Sequence, residues 1–237
     1  MSDNLTAGKL RFARHQTRYP EPKWYFGLDL GQRRDHSALA VLHLQWTFHG
    51  QSPVTFEYLF EPQLYIRFLA RFPIGISYER LYDLLKDTLT EFDQAQPART
   101  KQLIIDAGGP GPPIVDRLRR NLSKVVTIKP VIITGGKGAN ALSGGYTSIP
   151  RRSIVSTIQL LMGAHSLKCK PDVPGFKILK EELMELSGND TQPDSSSAHD
   201  DVAIAAGLAA WAAVDACPEL LPEVDGDGPT SRTGPLF

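Results

Sequence analysis

The stretch Trp24-Tyr25-Phe26-Gly27-Leu28-Asp29-Leu30-Gly31 decides how this chain is read. A short, continuous apolar run closed by an aspartate and a glycine predicts a buried strand that ends at a turn. Aspartate is disfavoured inside strands. A carboxylate set between Leu28 and Leu30 therefore needs a polar partner or a function. The pattern recurs in Leu103-Ile104-Ile105-Asp106, where Ala107-Gly108-Gly109 leaves open space beside the carboxylate. A third acidic position, Asp200-Asp201, opens the alanine-rich segment from Val202 to Val214. Strand ends of this kind lie where open α/β sheets place their ligands. Several carboxylates gathered at one such edge repel one another unless a divalent cation binds between them.

Each acid alone has a plainer explanation. Asp29 can satisfy local backbone amides, and Asp200 and Asp201 can stabilise the first turn of a helix. The joint occurrence carries the inference. Oxygen ligands of this type suit magnesium, with manganese as its common substitute. Two such ions about 4 Å apart can activate water and stabilise the leaving oxygen of a phosphodiester.

Working outward, Ala38 to Trp46 alternates as a second strand in a hairpin with the first. Val54 to Phe60 offers a third strand, and Leu64 to Phe72 extends or parallels it. Tyr82, Leu85, Leu89 and Phe92 place an amphipathic helix over 78–93. Pro112-Pro113 starts a helix that runs from Ile114 to Asn121. Val131 to Thr134 is a strand, and Gly135 to Gly145 a glycine-rich loop. Helices follow at Ile154 to Leu161, behind Pro150, and at Phe176 to Leu186. Asn189 to Ser197 reads as a polar loop. Strands first, then strand–helix alternation, then helices describes a mixed sheet with helices on both faces. Residues 1–22 read as an arm or linker, 23–216 as one domain, and 217–237 as a flexible tail.

A chain of 237 residues, 41% hydrophobic, suffices for one substantial core. Its 26 basic and 26 acidic side chains cancel, so any attraction for nucleic acid must be local. Arg33-Arg34 and Arg151-Arg152 are such clusters, although a solvated face explains basic clusters equally well. Two cysteines without metal spacing suit a reducing cytoplasm. The opening Met1-Ser2-Asp3-Asn4 lacks the apolar core of a signal peptide. No apolar run approaches the roughly 20 residues of a membrane span.

Two resemblances follow from these stretches. Gly27-Leu28-Asp29-Leu30-Gly31 with Ser37, and Asp106-Ala107-Gly108-Gly109-Pro110-Gly111, resemble the two phosphate loops of actin-like ATPases, which implies an ATP-dependent phosphotransferase. That superfamily shares its core sheet with ribonuclease H. It also wants a late glycine-rich adenosine loop, where this chain has Ala198-His199-Asp200-Asp201-Val202-Ala203.

The order of segments more fully resembles the nuclease domain of phage terminase large subunits, a ribonuclease-H-like fold. The stretches that carry it are Phe26 to Gly31 with Asp35, His36 and Ser37; Ile74-Gly75-Ile76-Ser77-Tyr78 before a helix; Ile104 to Gly109; Ile149-Pro150-Arg151-Arg152 before another helix; and His199-Asp200-Asp201. Together they span roughly 24–214.

This resemblance implies a DNA endonuclease with two divalent ions, Mg²⁺ or Mn²⁺, that cuts concatemeric DNA during genome packaging. Asp29, Asp106 and Asp201 become the catalytic acids, Asp200 a further metal ligand, and Asp35 an accessory acid. Arg33, Arg34, Lys137, Arg151 and Arg152 become the contacts to double-stranded DNA. A separate ATPase motor, a small terminase subunit or a portal become partners, in the cytoplasm of a bacterial host. The chain departs from the family in having no Gly-x-x-x-x-Gly-Lys-Ser/Thr loop, and in carrying Ile204 where many relatives have another acid. A packaging component with a vestigial site is the non-enzymatic alternative.

Overall fold

Strand β1, Lys23–Asp29, lies inside the sheet, hydrogen-bonded on both sides, as its unbroken apolar run requires. The computed structural model describes residues 21–31, 35–54, 56–95, 100–109, 111–136, 138–188 and 200–222. Most of the expected arm and tail, the 189–197 loop, and Arg33, Arg34 and Lys137 lie outside these residues.

On one side of β1 runs β2 (Ala38–Gln51), antiparallel, followed by β3 (Tyr58–Arg71), antiparallel to β2. On its other side β4 (Thr100–Asp106) and then β5 (Thr127–Thr134) are parallel to it. The strand pair β6 (Asn140–Ala141) and β7 (Thr147–Pro150) extends the β5 edge, and β8 (Leu167–Cys169) closes the other. The eight strands form one mixed sheet, ordered β6-β7-β5-β4-β1-β2-β3-β8. Its central β3-β2-β1-β4-β5 portion, with β2 reversed, is the ribonuclease-H-like arrangement.

Strand alternation divides the core into two layers. Trp24, Phe26, Leu28, Leu103 and Ile105 face α1 (Tyr78–Ala95) and α2 (Gly111–Leu122). Tyr25, Ile104, Ala38, Ala40 and Val131 face α3 (Arg151–Gly163), α4 (Phe176–Gly188) and α5 (Asp201–Ala216). Helix α5 is apolar nearly all round because it lies between the sheet and α3 and α4, not at the surface. It approaches β1 so closely that a Cβ on Gly27 would stand 1.9 Å from the Ala205 carbonyl oxygen.

Several sequence expectations are corrected here. Val54 lies in a turn, and the two segments expected after it are one strand, β3, running through Pro62. Proline is tolerated there because β3 pairs with β8 only at Leu64 to Ile66, so beside Pro62 that edge needs no donor. The glycine-rich stretch after Thr134 contains β6 and a 3₁₀ turn, Ser143–Gly145. Strands β7 and β8 were not anticipated. Among the described residues, no helix is long and apolar enough to cross a membrane.

Candidate active site

Register and helix placement bring the three acidic segments together. Leu28 pairs with Ile105 in the parallel β1–β4 ladder, so the next residues, Asp29 and Asp106, end neighbouring strands at one level. Asp29 and Gly27 share a face, as do Asp106 and Ile104, and in each pair this is the face that α5 covers. Gly27 touches Ala205, one helical turn into α5. Asp201, one turn earlier, is thereby carried toward Asp29 at the strand end.

The electrostatics record this proximity. Burial pushes the Asp29 carboxyl well above the usual carboxylate range, and the charges of Asp106, Asp201 and Asp35 add to the rise, while Arg151 opposes it. Asp106 is raised by burial, against hydrogen bonds from the backbone N–H groups of Gly108 and Ile133; the Gly108 bond measures 2.9 Å. Burial also raises Asp201, with Arg71 and His36 lowering it and Asp35 raising it. Asp29 is the hub: acids from β4, from α5 and from the turn after β1 all act on it.

The group shares a neighbourhood without yet sharing one coordination sphere. Among the described residues, no three His, Cys, Asp or Glu side chains are drawn together tightly enough to hold an ion as they stand. Guanidinium groups hold the late pair instead. Arg151 Nη2, from the first turn of α3, donates to Asp200 Oδ2. Arg71 Nε, at the end of β3, lies 3.7 Å from Asp201 Oδ2.

Asp200, expected as a further metal ligand or as a stabiliser of the first helical turn, occupies the N-cap position of α5, and its side chain makes no capping hydrogen bond. Its carboxylate is taken by Arg151, and both aspartates are buried. The first-turn amide of Ala203 is satisfied from another helix, by Glu182 Oε2 at 2.7 Å.

Of the basic residues expected at the site, Arg152 is exposed, whereas Arg151 is half-buried and committed to Asp200. Asp35 is exposed in the turn between β1 and β2. That turn is braced by Gly31 N donating to Ser37 Oγ (3.1 Å) and by His36 Nδ1 donating to the Phe72 carbonyl (2.7 Å).

Glu182 and Arg71 were not anticipated. Glu182 is buried and pairs with Arg71. Burial raises its carboxyl to about 7, against the pull of the Ala203 N–H and of Arg71. A sequence clue existed: Glu182 stands three residues after Leu179 and four before Leu186, on the apolar stripe of α4.

These raised carboxyls set a pH dependence. A carboxyl with a raised folded-state pKa holds its proton more tightly folded than unfolded, so stability falls as pH rises from its ordinary pKa through the raised value. For Glu182 that window runs from 4.5 to about 7, and Asp29, Asp106 and Asp201 shift in the same direction. Thermal melts in EDTA are expected to give a higher Tm at pH 5 than at pH 7.5. A Tm that rises over this interval would contradict the burial of uncompensated carboxylates.

No family description matches the sequence, and no curated protein matches it. Solved structures do resemble it in fold. The nuclease domain of the large terminase of bacteriophage SPP1, with bound Mn, is 13% identical and aligns over 79% of this chain and 84% of its own, with a TM-score of 0.42. The human cytomegalovirus terminase nuclease domain is 14% identical over 87% of this chain and 91% of its own, at 0.48. The large terminase nuclease of a thermophilic phage is 17% identical over 84% and 90%, at 0.41.

Proposed function

We propose that this chain is a metal-dependent DNA endonuclease of the terminase type, with Asp29, Asp106 and Asp201 as the acids that hold two divalent ions. One observation supports the reading: acids from β1, β4 and α5 lie in one neighbourhood at the strand ends, where burial and then the charges of Asp106 and Asp201 oppose ionisation of Asp29. A protein keeps so costly a cluster where a cation offsets the repulsion.

The donor set fits Mg²⁺ or Mn²⁺. It consists of hard carboxylate oxygens, and Asp201 Oδ2 is buried without a hydrogen-bond partner. Two ions bound there would supply an activated water and charge stabilisation for the leaving oxygen. The chain's own residues do the rest. Asp29, on which both other acids act, would be the ligand held in common by the two ions, and the Gly108 N–H holds one oxygen of Asp106 in place. Asp200, bound by Arg151, serves as an outer ligand or support, and Asp35 as an accessory acid at the solvent side.

Arg152 is the exposed member of the basic pair and contacts a DNA phosphate, with Arg33, Arg34 and Lys137 as further contacts to the duplex. With zero net charge the chain binds DNA weakly by itself. A separate ATPase motor, small terminase subunit or portal in a bacterial host would raise the local DNA concentration.

Plasmid nicking with Mg²⁺ or Mn²⁺, run beside ATP hydrolysis, tests the reading. Metal-dependent nicking without ATP turnover is the expected result, with Asp201→Asn abolishing it and Asp200→Asn weakening it. ATP hydrolysis would favour an actin-like phosphotransferase, and silence in both assays an inert packaging component. The reverse ranking of the two variants would move the third ligand to Asp200.

A further inference from the structure

Across the sheet, Asp29 pairs with Ala38 and Ala38 pairs with Arg71, so the three form one row on the face that α5 covers. From the end of this row Arg71 reaches Glu182 on α4 and Asp201 on α5. Arg71 Nη2 donates to Glu182 Oε1, while Glu182 Oε2 accepts the Ala203 N–H at 2.7 Å. Both oxygens of Glu182 are thus engaged by the protein, which leaves it poorly placed to be a metal ligand itself. Arg71 Nε and Asp201 Oδ2 are both buried, both lack a hydrogen-bond partner, and lie 3.7 Å apart. Two unsatisfied and complementary atoms at that separation close to a hydrogen bond after a shift of under about 1 Å.

We propose that Glu182 and Arg71 form a tether that positions the Asp201 carboxylate for metal, an inference that rests on the nuclease reading above. Glu182 ties together the three elements that place Asp201: α4, on which it sits; β3, through Arg71; and the first turn of α5, through Ala203. Removing one link lets Asp201 turn away from Asp29 without unfolding α5, whose apolar surface remains packed. Neither tether residue touches the reacting atoms; both act through Asp201.

The test compares wild type with Glu182→Gln, which keeps shape while placing an amide nitrogen where an oxygen met either Arg71 or Ala203. Mn²⁺ binding is followed by calorimetry, and the Arg71 Nε–Hε resonance by NMR without metal. Outer-shell partners of this kind change metal affinity by about 10–100-fold. Glu182→Gln is expected to weaken Mn²⁺ binding about 10-fold or more, with nicking largely restored at saturating Mn²⁺, and to shift or broaden the Arg71 resonance. In an Asp201→Asn background the same substitution should add little, since the two changes share one path. Arg71→Lys, which keeps the charge and loses the fork, serves as a second variant if Glu182→Gln folds poorly.

A merely structural role would lower the Tm without moving the Mn²⁺ half-saturation point, and that result overturns the tether. So does an unchanged Arg71 resonance with unchanged Mn²⁺ affinity. A wild-type chain that binds no Mn²⁺ and nicks no DNA overturns the nuclease reading together with the tether, so the two failures are told apart in one experiment.

Discussion

Asp29→Asn is expected to reduce Mn²⁺-dependent nicking by on the order of 1,000-fold, equivalent to ~4 kcal/mol of barrier, while making the metal-free protein more stable at pH 7.5. Asparagine keeps the shape and removes the charge. That charge sits in a buried setting, facing Asp106, Asp201 and Asp35, with Arg151 as its opposing partner. Relieving it by ~1 kcal/mol would raise the Tm by about 2–4 °C in a domain of this size. Gain of stability with loss of activity is the signature of a strained functional group. Nicking assays and melts in EDTA on the same preparation decide the matter. Undiminished nicking would remove Asp29 from the site, and a lower Tm would mean that the folded chain favours its ionised form.

Gly27→Ala should be strongly destabilising. Its Cβ would stand 1.9 Å from the Ala205 carbonyl oxygen and 3.0 Å from the Ala209 nitrogen, both backbone atoms of α5 that no rotamer change can move. The helix would have to lift off the sheet, a core disruption of more than about 4 kcal/mol. At about 2–4 °C per kcal/mol, the Tm falls by roughly 10 °C or more, or the protein fails to fold. Gly163→Ala is the matched control: its Cβ meets nothing within 4 Å, and the change is expected to be neutral or mildly stabilising. Wild-type stability of Gly27→Ala, measured by chemical denaturation, would show that α5 does not rest on β1 as described. The variant also reports on function, because the contact that excludes a side chain at Gly27 is the one that brings Asp201 to Asp29.

Much of this was legible in local patterns. The apolar run ending at Asp29, the run ending at Asp106 and the alanine-rich segment after Asp201 each declare their element by length, composition and bounding residues, because burial all round leaves a continuous apolar run without a period. Asp29 and Asp106 stand out because a carboxylate at the end of such a run conflicts with its surroundings. Strands β7 and β8 escaped notice because three or four residues carry too little periodicity. The continuity of β3 through Pro62 was hidden because proline forbids a strand only where its missing N–H is needed, and that depends on where β8 ends.

The sequence by itself therefore determined most of the longer elements, the two covered faces of the sheet and the acids that break the apolar pattern. All of these depend on residue type at short spacing. Only the tertiary structure decided the partners. Arg71 and Glu182 stand 111 positions apart, and Arg151 and Asp200 stand 49 apart. No local period links such pairs; the β2–β3 register and the seating of α5 against Gly27 do. Whether an arginine of this pair stays exposed or meets a buried aspartate is likewise set by which side of α3 faces α5, and this separates Arg152 from Arg151.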